Sequence, residues 1–285
     1  AVRRQGLAVG LYYSPEDFLW LHENGFEVTR DQLPFDPNTH PPFVKLLEAQ
    51  TCELFTNFGR IDVLFIDGVG EVPVKRVAWS LQPDCLITRG AIETPELFIP
   101  GKPPKGAWES CFTMGTQWQY KPTNEHYKSG TKIIEMLIET RAKGGALLLN
   151  VGPMPDGRIP IEQEARLREV ALWMTVNNKA IYNIRPWTVT NEGDIWFTKA
   201  KDSDTVYVFL TGIPDWERGS RREFLLRSVA TSKETKITSS NTCRTSTPNR
   251  ALRKQPRGSR SLLSAPSAST MTTNGPIQSW SRSPM

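Results

Sequence analysis

The chain has 285 residues, with 35 Lys and Arg against 30 Asp and Glu, for a formal charge of +5. Seven of the basic side chains and none of the acidic ones fall between Ser239 and Met285, so the body is slightly acidic, which argues against nucleic acid as its partner. The four cysteines show no CxxC pair and no histidine at ligand spacing, which speaks against a zinc site or a disulfide scaffold, and no apolar run approaches the ~20 residues that cross a bilayer.

The opening Ala-Val-Arg-Arg-Gln-Gly-Leu has the features of neither a signal peptide nor a natural start, and the chain is expected to begin partway through a longer protein. Residues 7–13 predict a strand that Ser14-Pro15 ends, followed by a long Pro-, Asn- and Asp-containing loop to Pro42. Phe43, Leu46, Leu47, Leu54 and Phe55 recur at helical spacing, and Asn57-Phe58-Gly59 closes that helix. The apolar run over 61–66 predicts a parallel strand covered on both faces, with Asp67 at its carboxyl end and Gly68 permitting a sharp departure. A turn or capping aspartate is the bland alternative for Asp67.

Val74, Val77, Ala78 and Leu81 mark the next helix, and residues 85–88 the next strand, with Arg89-Gly90 at its end. A polar loop carrying Glu93 and Glu96 leads to a strand over 108–113. Ile133, Ile134, Leu137 and Ile138 stripe a helix that Lys143-Gly144-Gly145 closes. The strand 146–151 follows, then a turn at Asp156-Gly157 and a helix with Leu167, Val170, Ala171 and Met174 on one side. Five strands alternating with helices predict an α/β fold of parallel units, three strands short of a closed (β/α)8 barrel.

The texture changes near residue 186. Strands over 195–198, 205–210, 222–226 and 234–238 have no helices between them, as in an antiparallel β domain. From Ser239 the sequence is rich in Ser, Thr, Arg and Pro, lacks acids and has no periodicity, so residues 239–285 are expected to be disordered. A translated wrong frame and a basic arm both fit that composition. The expected organisation is thus 1–185, a partial (β/α)8-type barrel of about the last five strands; 186–238, an incomplete antiparallel β-sandwich; and 239–285, a tail.

Polar residues expected at the carboxyl ends of the proposed strands are Tyr12, Asp67, Arg89, Glu96, Glu109 and Asn150. Two carboxylates from different strand ends, set among aromatic rings, suit glycoside hydrolysis: one attacks the anomeric carbon and the other moves the proton. Single tryptophans in such a chain are core filling before they are sugar platforms.

Five motifs then occur in order: Gly10-Leu11-Tyr12-Tyr13-Ser14, Leu64-Phe65-Ile66-Asp67-Gly68, Thr94-Pro95-Glu96, Trp108-Glu109-Ser110-Cys111, and the run from Gly144 to Pro153. Together they resemble the α-L-fucosidases of glycoside hydrolase family 29, over about residues 5–238. The resemblance implies a barrel followed by a β-sandwich and a retaining double displacement on terminal α-L-fucosyl residues of glycans, with no metal or other cofactor. It implies Asp67 as nucleophile, Glu96 or Glu109 as acid/base with Glu96 preferred, and Tyr12, Phe65 and Arg89 as substrate contacts. Phe65 stands where the family often has Trp, and Thr88 where it has Asp before the arginine. The chain would start at the family's fourth barrel strand, without the earlier histidines, Trp and Glu that hold the sugar, so by itself it is expected to be inactive or impaired. A non-catalytic carbohydrate-binding or vestigial barrel protein, and a barrel glycosidase for another sugar, remain the alternatives. Family members are secreted, periplasmic or lysosomal, and no membrane partner is expected.

Overall fold

The computed structural model describes residues 1–28, 33–88, 92–213, 222–230, 235–239, 261–265 and 270–274. The chain forms two compact units, Ala1–Thr94 and Pro95–Met285.

In the first unit, β1 (Gly10–Tyr13) precedes α1 (Phe18–Glu23) and α2 (Pro41–Asn57), then come β2 (Val63–Ile66), α3 (Glu71–Leu81) and β3 (Leu86–Thr88). The strands form one parallel sheet in the order β1-β2-β3. Leu64 and Ile66 are fully buried, together with Phe43 and Leu47 of α2 and Val74 and Ala78 of α3. Side chains of that size, each contributing about 1.5–3 kcal/mol on burial, fix the helices to one side of the sheet. Val63 and Phe65 alternate with them and are only half-buried. The expectation of a strand covered on both faces is therefore corrected: one face of β2 is core and the other is partly open.

The long loop expected after Ser14 contains α1. Its cap is Asp17, whose carboxylate accepts from the Trp20 amide at 2.9 Å. Trp20 joins Phe26, Phe35, His40 and Phe43 in an aromatic cluster, with Phe35 and His40 stacked at 4.2 Å between centroids. Apolar rings, rather than backbone pairing, organise this connection.

The second unit opens with β4 (Glu109–Thr113), α4 (Gly130–Ala142), β5 (Ala146–Asn150) and α5 (Ile161–Asn177). β4 and β5 pair in parallel. The turn at Asp156-Gly157 forms as expected, with Met154 and Arg158 joined by a 2.8 Å backbone bond. α5 is rotated from the expected stripe. Gln163, Trp173, Met174 and Asn177 face inward, whereas Leu167 and Leu172 are exposed, Leu172 by 71%. Val170 and Met174 belong to both stripes, so an apolar list alone could not choose between two rotations about a sixth of a turn apart.

Then follow β6 (Ile184–Glu192), β7 (Ile195–Ala200), β8 (Val206–Leu210), β9 (Arg222–Leu226), β10 (Lys236–Ser239), β11 (Ser261–Ala265) and β12 (Thr270–Asn274). One antiparallel sheet runs β10-β12-β8-β7-β6, and β11 pairs with β9. Leu226 of β9 shares a core with Phe197, Val206 and Val208, so both antiparallel sheets feed one cluster. Ile138 of α4 and Trp173 and Met174 of α5 pack with Trp196, Tyr207 and Phe209.

β6 was not expected, because Pro186 breaks its apolar pattern. It lies at the sheet edge and shifts register between Pro186 and Asn191, where a missing amide is tolerated. β11 and β12 also depart from the sequence reading, which left 239–285 without structure. Both are paired to strand edges by backbone bonds, which require no apolar burial signal in the sequence. Among the described residues no helix is long and apolar enough to cross a membrane.

Candidate active site

The two ends of β2 are chemically distinct. At its amino end, Asp62 accepts from the Val9 amide at 2.9 Å and pairs with Arg60 at 2.7 Å. The Val9 bond, followed by Arg60 and Arg3, holds this carboxyl below the usual range. Asp62 is tied into the scaffold. At the carboxyl end, the Asp67 amide donates to the Tyr13 carbonyl at 2.9 Å, extending the β1–β2 ladder past its last pair. Register places Tyr12 opposite Phe65, and their rings stack at 5.7 Å with 17° between planes. The Tyr12 hydroxyl donates to Asp67 Oδ2. Tyr12 is 64% exposed, and Asp67 is half-buried beside it. A carboxylate, a phenol and a stacked ring pair thus converge on one sheet edge, at the strand end where α/β proteins place reactive groups.

The turn after Asp67 is held by a residue with no signal in the sequence. Glu16 Oε1 accepts from the Val69 amide at 3.0 Å. Gly68 has φ 134°, and a Cβ there would run into the Glu16 carboxylate. Only glycine allows both the backbone angle and the approach.

Glu96 and Glu109 lie in the second unit, on neighbouring segments. Glu96 forms an isolated parallel bridge with Cys111. On either side of it, the Cys111 amide donates to Pro95 O at 2.9 Å and the Leu97 amide to Cys111 O at 2.8 Å. Leu97 has φ 62°, an uncommon conformation for a residue with a side chain. The loop bearing Glu96 is therefore pinned by backbone to β4, two residues from Glu109. Glu109 is half-buried at the start of β4, which corrects its expected place at the carboxyl end of the strand, and burial raises its carboxyl pKa above the ordinary glutamate value. Asn150, at the end of β5, turns its amide toward the Val151 carbonyl at 3.3 Å. Arg89 lies outside the described residues. The fold thus brings Tyr12, Phe65 and Asp67 together in one unit and Glu96 and Glu109 together in the other. No group of three or more His, Cys, Asp or Glu among the described residues could hold a metal ion.

The segment after α4 is fitted closely. Lys143 ends the helix, Gly144 takes φ 87°, and Gly144 and Gly145 return amides to Arg141 and Thr140 at 3.0 and 2.9 Å. A Cβ on Gly145 would lie 2.6 Å from the Trp108 ring, one on Gly144 2.9 Å from Pro186, and one on Gly152 2.8 Å from the backbone of Gln119 and Tyr120. These glycines are required by packing.

Parallel strands with a carboxylate and a stacked ring pair at the carboxyl ends of β1 and β2 define an α/β protein of the kind that hosts glycosidase chemistry. Comparison with known proteins makes this specific. Residues 1–179 match the α-L-fucosidase family, and the chain belongs to that family. It is 30% identical over 266 residues to the plasma α-L-fucosidase of Rattus norvegicus, covering 83% of this chain and 56% of that protein. It is 27% identical over 242 residues to the α-L-fucosidase of Dictyostelium discoideum, covering 75% of this chain and 51% of that one. The crystal structure of Thermotoga maritima α-fucosidase superposes with a TM-score of 0.72 at 25% identity, over 96% of this chain and 66% of that chain. The chain spans about half the length of the curated relatives it matches.

Proposed function

We propose that this chain is part of a retaining exo-α-L-fucosidase that removes terminal α-L-fucosyl residues from glycans, with a fucosylated glycan or glycoconjugate as its substrate. The parallel units over 1–185 are then the last five strands of a (β/α)8-type barrel, and the antiparallel region that follows is its β-sandwich. The observation that carries the reading is Asp67, set at the carboxyl end of β2 against the Tyr12 hydroxyl and the Tyr12–Phe65 stack, in a chain of this family. Asp67 attacks the anomeric carbon, with Tyr12 and Phe65 beside the sugar and Arg89 as a further contact. Glu96 or Glu109 gives its proton to the departing glycan oxygen, and the same residue then takes a proton from water as the glycosyl–Asp67 bond is hydrolysed. Burial of Glu109 favours the protonated carboxyl that an acid must carry into the reaction, while Glu96 sits in the motif that the family resemblance prefers. No cofactor enters this scheme. The relatives named plasma α-L-fucosidases support a secreted setting for the whole protein.

Because the chain spans about half of its relatives' length, the activity is assigned to the whole fold. The 285-residue chain alone is expected to hydrolyse aryl α-L-fucosides weakly or not at all, and a chimera in which the rat enzyme supplies the remaining length is expected to turn over. In that chimera, Asp67→Gly should lose activity on the order of a thousandfold or more, and azide should restore turnover by taking the nucleophile's place. A panel of aryl glycosides tests the sugar: comparable turnover of another glycoside would favour a different specificity, and sugar binding with no turnover would favour a vestigial site. Full activity of Asp67→Gly would overturn the assignment.

A further inference from the structure

We infer that Lys143 is a positioning residue that holds the Glu96-bearing loop in place and connects it to the antiparallel sheet. The inference rests on the reading of Glu96 and its neighbour Glu109 as the acid/base pair of candidates. Lys143 is 9% exposed, an unusual place for an ammonium group. Its Nζ donates to the Pro100 carbonyl at 2.8 Å and to Glu139 Oε1 at 2.6 Å, and lies 5.5 Å from the centroid of the Trp196 ring. Helix termination alone asks none of this of the residue, since Gly144 and Gly145 already satisfy the last carbonyls of α4.

The three contacts reach different parts of the unit. Glu139 is on α4 itself and neutralises the buried charge. Trp196 is on β7, within the core shared by α4, α5 and the antiparallel sheet. Pro100 ends the loop that starts at Glu96. Between them, the Ser110 hydroxyl donates to the Phe98 carbonyl at 3.1 Å and Leu97 adopts its left-handed φ of 62°. A residue in that conformation persists only where its surroundings over-determine it. The Cys111 bonds grip the loop at one end and Lys143 grips it at the other. Removing the Lys143 end lets Leu97 relax and moves Glu96 with it, and a small misplacement of a catalytic group carries a large kinetic cost.

The test compares Lys143→Met, which keeps a long side chain without the donor, with Lys143→Arg, which keeps charge and donors. Amide hydrogen exchange on the full chain reads the clamp directly. In Lys143→Met the Leu97 and Cys111 amides should exchange on the order of tenfold faster while Val206 and Val208 stay protected, and Lys143→Arg should recover most of that protection. Unchanged exchange at Leu97 and Cys111, or a uniform rise across the chain, would overturn the inference. In the chimera, Lys143→Met should lower kcat about tenfold for a fucoside with a poor leaving group, with KM nearly constant and an activated leaving group little affected. An equal fall for both substrates signals general loss of folded protein and refutes the positioning role. The underlying reading fails separately, if neither Glu96→Ala nor Glu109→Ala discriminates between the two leaving groups.

Discussion

At the scale of single residues, the clearest consequence concerns Glu109. Burial raises its folded-state pKa, so the folded chain binds this proton more tightly than the unfolded chain does. Its contribution to stability is therefore most favourable at low pH and declines as pH rises from the ordinary glutamate value through the raised one. Glu109→Gln should remove that part of the slope, leaving the variant at least as stable as the parent at neutral pH in urea titrations run from pH 4 to 7. A steeper slope in the variant would contradict the burial argument. Gly68 gives a second expectation. Gly68→Ala meets both a φ of 134° and the Glu16 carboxylate, so it should cost about 1–3 kcal/mol in the same titrations and release the Val69 amide to exchange. Asp67 was legible as a strand-end carboxylate because an apolar run stops at it. Its partner in the turn, Glu16, was not, since a lone glutamate in a polar loop carries no spacing that foretells a bond across 53 positions.

Elements were legible where periodicity was strong and unbroken. All five strands of the parallel units fall where their apolar runs stand, and α2 buries Phe43, Leu47 and Phe55 along the expected stripe. The departures each have a local cause. α1 has only six residues, too few to show a period, and depends on the Asp17 cap and on Trp20 seated among the aromatic rings. Asp17→Ala should therefore cost about 1 kcal/mol and fray α1, seen as faster exchange of the Leu21 amide with the β2 amides unchanged. Equal protection of Leu21 in both proteins would show that the rings hold the helix without its cap. α5 misled because its sequence offers apolar residues on more than one side, and only contact with β7 and β8 through Trp173 and Met174 selects the inward face.

For the molecule as a whole, the last strands have a role that composition conceals. β12 lies between β10 and β8, covering what would otherwise be an open edge of the larger antiparallel sheet. Removing residues 235–285 should leave β8 unpaired on that side, and concentration-dependent association in light scattering is the expected result. A truncated protein that stays monomeric at high concentration would show that β8 needs no cover. Asp67 lies in one compact unit and Glu96 and Glu109 in the other, and at the sequence level only the order of the five motifs, not any single pattern, links the three residues. Gly144, Gly145 and Gly152 belong to one of the five ordered motifs, yet each faces a ring or a backbone rather than a carboxylate. This motif therefore records how tightly the parts of the chain are fitted, so a descendant in which Asp67 had changed could keep it intact.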